Sequence, residues 1–305
     1  MSNKLASLIL LITLGLIWGT GYSIARFAMT HGVTPLGYSF WQSIGPAILL
    51  SLIVLFYKKN TRAGRIQQTP YLYYFICGLT GIAIPNSVMY FAAPHLPAGL
   101  LAVVVNTVPI MSYVLALFAR VEKFNVLRLA AIILAMCGLL LILLPGNALP
   151  TLNKIPWIIV VLITPLSFAF CAVYVARFRP KHSDSISLSA GTLMTSSIIL
   201  FPFILFTESF YMLHWPLATP DLVILLEIIL SSIGYVLFFQ LIKIAGPVYY
   251  SLVDTTVALT GLTWGYFLFH EKLTPWITLG VIFILLALFL VTQQQRTVKK
   301  INLAA

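Results

Sequence analysis

Apolar residues fall in long unbroken runs, and polar residues are confined to short gaps between them. The runs occupy 8–27, 37–57, 71–91, 97–118, 125–144, 156–176, 187–206, 222–242, 248–269 and 275–292. Each is long enough, as a helix, to cross about 30 Å of hydrocarbon. Only helices and closed barrels satisfy their backbone groups in lipid, and runs of this length read as helices. The pattern predicts an all-α polytopic membrane protein with ten transmembrane helices in a lipid bilayer. The longest gap, about 207–221, holds Trp215, Pro216 and Pro220, which suits an interfacial loop with aromatic anchors. No small-residue cleavage site follows the first run, so it reads as a retained helix rather than a signal peptide.

A second pattern divides the chain in two. In 96–144 an apolar run ends at Arg120-Val121-Glu122-Lys123 and another run follows. The same order returns in 246–292 around His270-Glu271-Lys272. Glu122 and Glu271 stand 149 residues apart, close to half the chain, which predicts five-helix halves at 1–148 and 149–305. An odd number of crossings turns the second half over, giving two inverted five-helix repeats. Charge supports the topology. With the N-terminus inside, 15 of the 18 Lys and Arg fall in inside segments and only Arg26, Lys154 and Lys272 fall outside. The positive-inside bias therefore predicts both termini in the cytoplasm.

Composition excludes other classes. Apolar residues are 60% of the 305 positions and charged residues 8%, far below the roughly one-quarter charged of a soluble domain. The net charge of +11 is spread over short loops rather than one face, so no nucleic-acid partner is expected. Cys77, Cys137 and Cys171 lie within apolar runs without metal-ligand spacing and read as small buried hydrophobes. There is no phosphate-cradling glycine loop and no nucleophile elbow, and the five histidines are scattered at run ends. Neither an enzyme nor a cofactor or metal site is predicted.

Several residues together resemble the drug/metabolite transporter superfamily, in particular its ten-helix, two-repeat EamA-type members. They are Trp18-Gly19-Thr20-Gly21-Tyr22 with Pro35; Ala98-Gly99, Asn106-Thr107-Val108-Pro109, Glu122-Lys123 and Gly138; and Gly246-Pro247, Gly265, Glu271-Lys272-Leu273-Thr274 and Gly280. The resemblance covers nearly the whole chain. It implies a bacterial inner-membrane transporter of small metabolites or drugs, a central cavity lined by the first four helices of each half, and a homodimer. Proton exchange drives a few such proteins. Relatives often carry an arginine near the start of the second helix, where this chain reads Phe40-Trp41-Gln42.

Intramembrane polar residues are the candidate site. Asp254 lies in the ninth run, where a carboxylate is costly unless paired, neutral or facing a wet cavity. It can serve as a proton-coupling group or as the anion for a cationic substrate. Glu227 is a second coupling candidate, placed nearer the external side, either at a cavity mouth or interface or buried. It shares a helix face with Ser231 and Tyr235, spaced by four residues. Gln42, Asn86 and Asn106 supply neutral amides for substrate contact or interhelical bonds. Pro85 and Pro109 are expected helix breaks that free carbonyls beside Asn86 and Asn106. Trp18, Tyr22, Tyr38, Trp41, Tyr90, Tyr113, Tyr235, Tyr250 and Trp264 are the aromatic candidates for the cavity wall. Gly15 and Gly19 predict a close helix crossing, and Gly261 and Gly265 repeat the spacing.

Aromatic walls with one or two carboxylates suit an amine or quaternary ammonium, held by cation–π attraction. The expected function is secondary active transport by alternating access, with a proton as the coupling ion. The alternatives are export of an amino acid or drug-like compound, or a passive facilitator or channel.

Overall fold

The computed structural model describes residues 3–60, 70–92, 107–143, 155–181, 183–257, 259–260, 263, 275–276, 278–287 and 289–290. Among these residues the ordered structure is helical and no strand occurs. The helices are α1 (Asn3–Thr30), α2 (Pro35–Asn60), α3 (Tyr71–Gly78), α4 (Ile84–Ala92), α5 (Val108–Phe118), α6 (Val126–Leu143), α7 (Ile155–Val161), α8 (Ile163–Phe178), α9 (Ser185–Phe206), α10 (Thr219–Ala245) and α11 (Pro247–Tyr250). A further apolar helix, α12, covers Thr278–Ala287.

Five stretches are long and apolar enough to cross a membrane: Pro35–Phe56, Tyr71–Met89, Ile159–Phe178, Ser185–Phe206 and Thr219–Ala245. Shorter apolar helices lie at Leu5–Gly21, Val108–Phe118, Val126–Gly138 and Thr278–Ala287. Of the ninth expected run, only parts are described, so the count of ten rests on the sequence.

Local chemistry explains the breaks between helices. Gly32 takes φ +92° in the turn after α1, and Pro35 then opens α2, where its missing N–H costs nothing. The Asp184 carboxylate accepts from Ser187 N–H at 2.7 Å and starts α9. Asn125 Oδ1 accepts from Arg128 N–H at 3.0 Å and starts α6. The third run is a composite. A π-helical turn, Leu79–Ala83, joins α3 to α4 and Ile84 N–H bonds back to Leu79 O. Pro85 follows at once and has no N–H to extend the ladder, so the widened turn settles in front of it.

The outer face is apolar, unlike that of a soluble protein. Leu5, Ile9, Ile12 and Leu16 form an exposed apolar stripe on α1, and Leu222, Leu225, Leu226, Ile229 and Ile233 form another on α10. The α2–α9 pair, by contrast, buries Ser39, Ser43, Ser189, Ser196 and Ser197. Small polar residues inside let the helices approach closely, and the apolar outside meets lipid.

Helix α1 packs along α10, α2 along α9, and the α3–α4 unit along α8, while α5 also lies on α8. Leu11 shares a cluster with Leu241 and Ile242, and Ile24 shares one with Ile224, so α1 runs antiparallel to α10. Gly15 lies against Thr256 and Gly19 against Thr260, where an added Cβ would come within 2.4 and 2.5 Å of the threonine Cβ atoms. That is the close crossing expected of Gly15 and Gly19; Gly261 and Gly265 lie outside the described residues. In the same way Gly138 of α6 packs on Gly280 of α12, its carbonyl 2.6 Å from where a Cβ would stand.

Candidate functional site

A cavity of about 110 Å³ lies among α1, α2, α3–α4, α8, α9, α10 and the segment after α11. Of the sequence candidates it brings together Trp18, Tyr38, Gln42, Asn86, Glu227, Tyr235, Tyr250 and Asp254. Asn106 and Trp264 lie outside the described residues, as do the side chains of Tyr22 and Tyr90.

The floor of the site is built around Glu227, which is 3% exposed. Its Oε1 accepts from Gln42 Nε2 at 2.9 Å and from Ser231 Oγ at 2.7 Å. Ser231 is one turn along α10, whereas Gln42 comes from α2, so the carboxylate joins the two halves of the chain. Its Oε2 has no hydrogen-bond donor within ordinary geometry, and the Tyr38 side chain faces the same carboxylate from α2. Across the gap, Gly21 of α1 leaves the space open: a Cβ there would stand 3.3 Å from Oε2. The sequence left Glu227 open between a cavity mouth or interface and a buried position; it is buried, two turns in from the start of the 27-residue α10.

Asp254 lines the same cavity and is partly open to it. Among the described residues its carboxylate makes no hydrogen bond or ion pair. Beside it stands a cluster of four rings. Trp18 lies 6.1 Å from Tyr235, 6.3 Å from Phe238 and 6.0 Å from Tyr250, measured between ring centroids, and Phe238 and Tyr250 are 4.8 Å apart. All four rings contribute to the cavity wall. Edge-to-face pairing holds them in fixed relative orientations. Among the described lining residues there is no Lys, Arg or His. The electrostatic character of the space is therefore set by two carboxylates and the negative faces of the rings.

The neutral polar groups fill the rest of the wall. Asn86 is 9% exposed on α4, directly after Pro85. The Pro85 carbonyl accepts from Thr164 Oγ1 at 3.2 Å, and the Thr80 carbonyl accepts from Ser167 Oγ at 2.8 Å. Carbonyls freed around the π-helical turn are thus taken up by α8 hydroxyls rather than left for a ligand. Pro109 stands at the second position of α5, where that helix begins, and is absent from the cavity wall.

Tyr113 needs a correction. It was a candidate for the cavity wall, but its hydroxyl donates to Asn125 O at 3.1 Å and accepts from Asn125 N–H at 2.7 Å. Its ring packs with Ala116, Ile132, Val173 and Val248. Tyr113 therefore braces the turn between α5 and α6. The same turn carries an ion pair between Glu122 and Arg128. Glu122 Oε1 also lies 3.0 Å from where a Cβ on Gly246 would be. The counterpart turn at Glu271 lies outside the described residues.

Several lining residues were not among the sequence candidates: Phe168, Thr192, Phe238 and the thiols Cys77 and Cys171. Phe238 falls one turn beyond Gly234 on the face that already carries Glu227, Ser231 and Tyr235, and that spacing was its available signal. Cys77 and Cys171 are buried, as expected, and border the cavity from facing helices, whereas Cys137 is exposed on α6, which corrects the expectation that all three are buried.

Comparison with known proteins agrees with this architecture. The EamA-like transporter family matches residues 5–144 and again residues 155–293. An uncharacterized transporter of Bacillus subtilis, YoaV, is 24% identical over 284 residues, covering 92% of this chain and 95% of that protein. The protein PecM of Dickeya dadantii is 24% identical over 284 residues, covering 90% and 88%. A solved crystal structure superposes with a TM-score of 0.76 at 14% identity, covering 96% of this chain and 98% of the other.

Proposed function

We propose, from the premise that this chain belongs to the EamA-like transporter family, that it is a secondary active transporter of a small organic cation. The substrate is an amine or quaternary ammonium that sits among Trp18, Tyr235, Phe238 and Tyr250, with Asp254 as its counter-ion. One observation carries this reading: an aromatic-walled cavity that holds two carboxylates and, among its described lining residues, no cationic side chain. Ring faces attract a desolvated cation by about 2 kcal/mol, and a carboxylate supplies the charge that a neutral pocket lacks.

Alternating access is supported by the pairing of helices. The contacts of α1 with α10 and of α3–α4 with α8 become one another if the two five-helix halves are exchanged. The contacts of α5 with α8 and of α1 with residues 256 and 260 do the same. The α2–α9 and α6–α12 contacts map onto themselves. Such an exchange is the mark of two halves related by a pseudo-two-fold axis, and with five crossings per half the second is inverted, so that one half rocks against the other about a central site. In this reading both termini are cytoplasmic in a bacterial inner membrane and proton binding at Asp254 or Glu227 couples the cycle.

Uptake of labelled choline-like amines, amino acids and aromatic compounds into proteoliposomes tests the reading, with and without an imposed pH gradient. Gradient-stimulated accumulation of the amines, lost in Asp254→Asn, is the expected result. Equal equilibration of all three classes, insensitive to gradient and mutation, would replace it with a facilitator or channel.

A further inference from the structure

The two carboxylates stand at different depths in one cavity, and the register of the helices measures the gap. Gly15 faces Thr256 and Gly19 faces Thr260, so the segment after Asp254 runs parallel to α1, residue for residue. Asp254 precedes Thr256 by two positions and is therefore level with position 13 of α1. Glu227 Oε2 is level with Gly21, where a Cβ would lie 3.3 Å away. Eight residues of helix separate the Asp254 backbone from the level of Glu227 Oε2, about 12 Å along the axis at the 1.5 Å rise of an α-helix. Trp18 lies between them, and its four-ring cluster forms the wall that spans the interval.

Each carboxylate also has unused capacity. Glu227 is 3% exposed, and its Oε2, which the Tyr38 side chain faces, accepts no hydrogen bond within ordinary geometry. Asp254 has no partner among the described residues. The other ionisable groups on the wall are Tyr38, Tyr235, Tyr250, Cys77 and Cys171, all neutral in their ordinary protonation states. Nothing described on the wall offsets two negative charges.

We propose that the cavity is built for a linear molecule with a positive charge at each end, an α,ω-diaminoalkane or an analogue with the same charge spacing. One ammonium pairs with Asp254 and the other with Glu227, and the methylene chain lies against the Trp18 cluster. Two ammonium–carboxylate contacts of about 2.8 Å each shorten the gap that the chain must fill, which selects about four to six methylenes. The inference rests on the reading of this cavity as a cation site and narrows it to dications.

The test is a binding series on the purified full-length protein in lipid nanodiscs, by calorimetry. The ligands are the diaminoalkanes from diaminopropane to diaminooctane, each beside the monoamine of equal length. The expected result is an affinity maximum at intermediate length, with diamines there at least tenfold tighter than the matched monoamines. Glu227→Gln and Asp254→Asn each remove that advantage, leaving diamines level with monoamines. The wild-type series is informative even where a variant fails to fold. Diamines no tighter than monoamines at any length would overturn the dication proposal while leaving the organic-cation reading in place. Failure of every amine to bind would overturn both.

Discussion

Gln42 Nε2 donates to Glu227 Oε1 at 2.9 Å, and this one bond ties α2 of the first half to α10 of the second inside the cavity. A hydrogen bond to a buried charged group contributes about 1.5–3 kcal/mol, and its loss leaves the acceptor with Ser231 as its remaining donor within ordinary geometry. Gln42→Ala is expected to lower stability by about 2 kcal/mol, read from unfolding in mixed micelles. Gln42→Glu, which puts a second carboxylate against the first, is expected to cost more.

Gly15 and Thr256 touch so closely that no side chain fits between them. Gly15→Ala places a Cβ 2.4 Å from Thr256 Cβ, and overpacking of this kind costs about 1–3 kcal/mol. The expected outcome is a destabilised protein that Thr256→Gly restores in the double variant. A double-mutant cycle on thermal stability checks it; additive losses would place the strain elsewhere.

Gly246 joins α10 to α11 with φ +84° and ψ 171°, a conformation reserved for glycine. Glu122 from the first-half turn lies against it. Gly246→Ala is expected to cost about 1–3 kcal/mol from backbone strain. Adding Glu122→Ala, which clears the space but not the strain, is expected to recover little of that loss.

Tyr211 makes the loop before α10 sensitive to alkali. Its hydroxyl donates to the buried Asp221 at 2.9 Å, and Asp221 also accepts from Ala218 N–H at 2.8 Å. Burial, reinforced by that bond, holds the phenol above its ordinary value of 10.0. In the unfolded chain the phenol ionises first, so above that value the native state binds more protons than the unfolded state. The contribution is complete below pH 10 and declines as pH rises toward the folded value. Tyr211→Phe is expected to remove this component. Paired alkaline unfolding curves check it: the gap between wild type and variant narrows as pH rises.

Much of the site was legible because burying charge in a membrane is costly. Asp254 and Glu227 stand out in apolar runs for that reason alone, and Gln42, Asn86, Trp18 and Tyr235 followed from their neighbourhood. Tyr113 was misread because an aromatic residue in an apolar helix looks the same whether it faces a cavity or braces a turn. Only the position of Asn125, twelve residues on, tells the two apart. Phe238 became part of the wall only when α10 folded against Trp18.

The sequence by itself determined a helical membrane protein and its two-part construction. Hydrophobic length, the positions of basic residues and proline or glycine breaks act locally and need no knowledge of neighbours. The tertiary structure alone decided which polar groups share one space. That depends on close approaches such as Gly15 on Thr256 and Gly21 beside Glu227, set by packing between segments more than 200 residues apart.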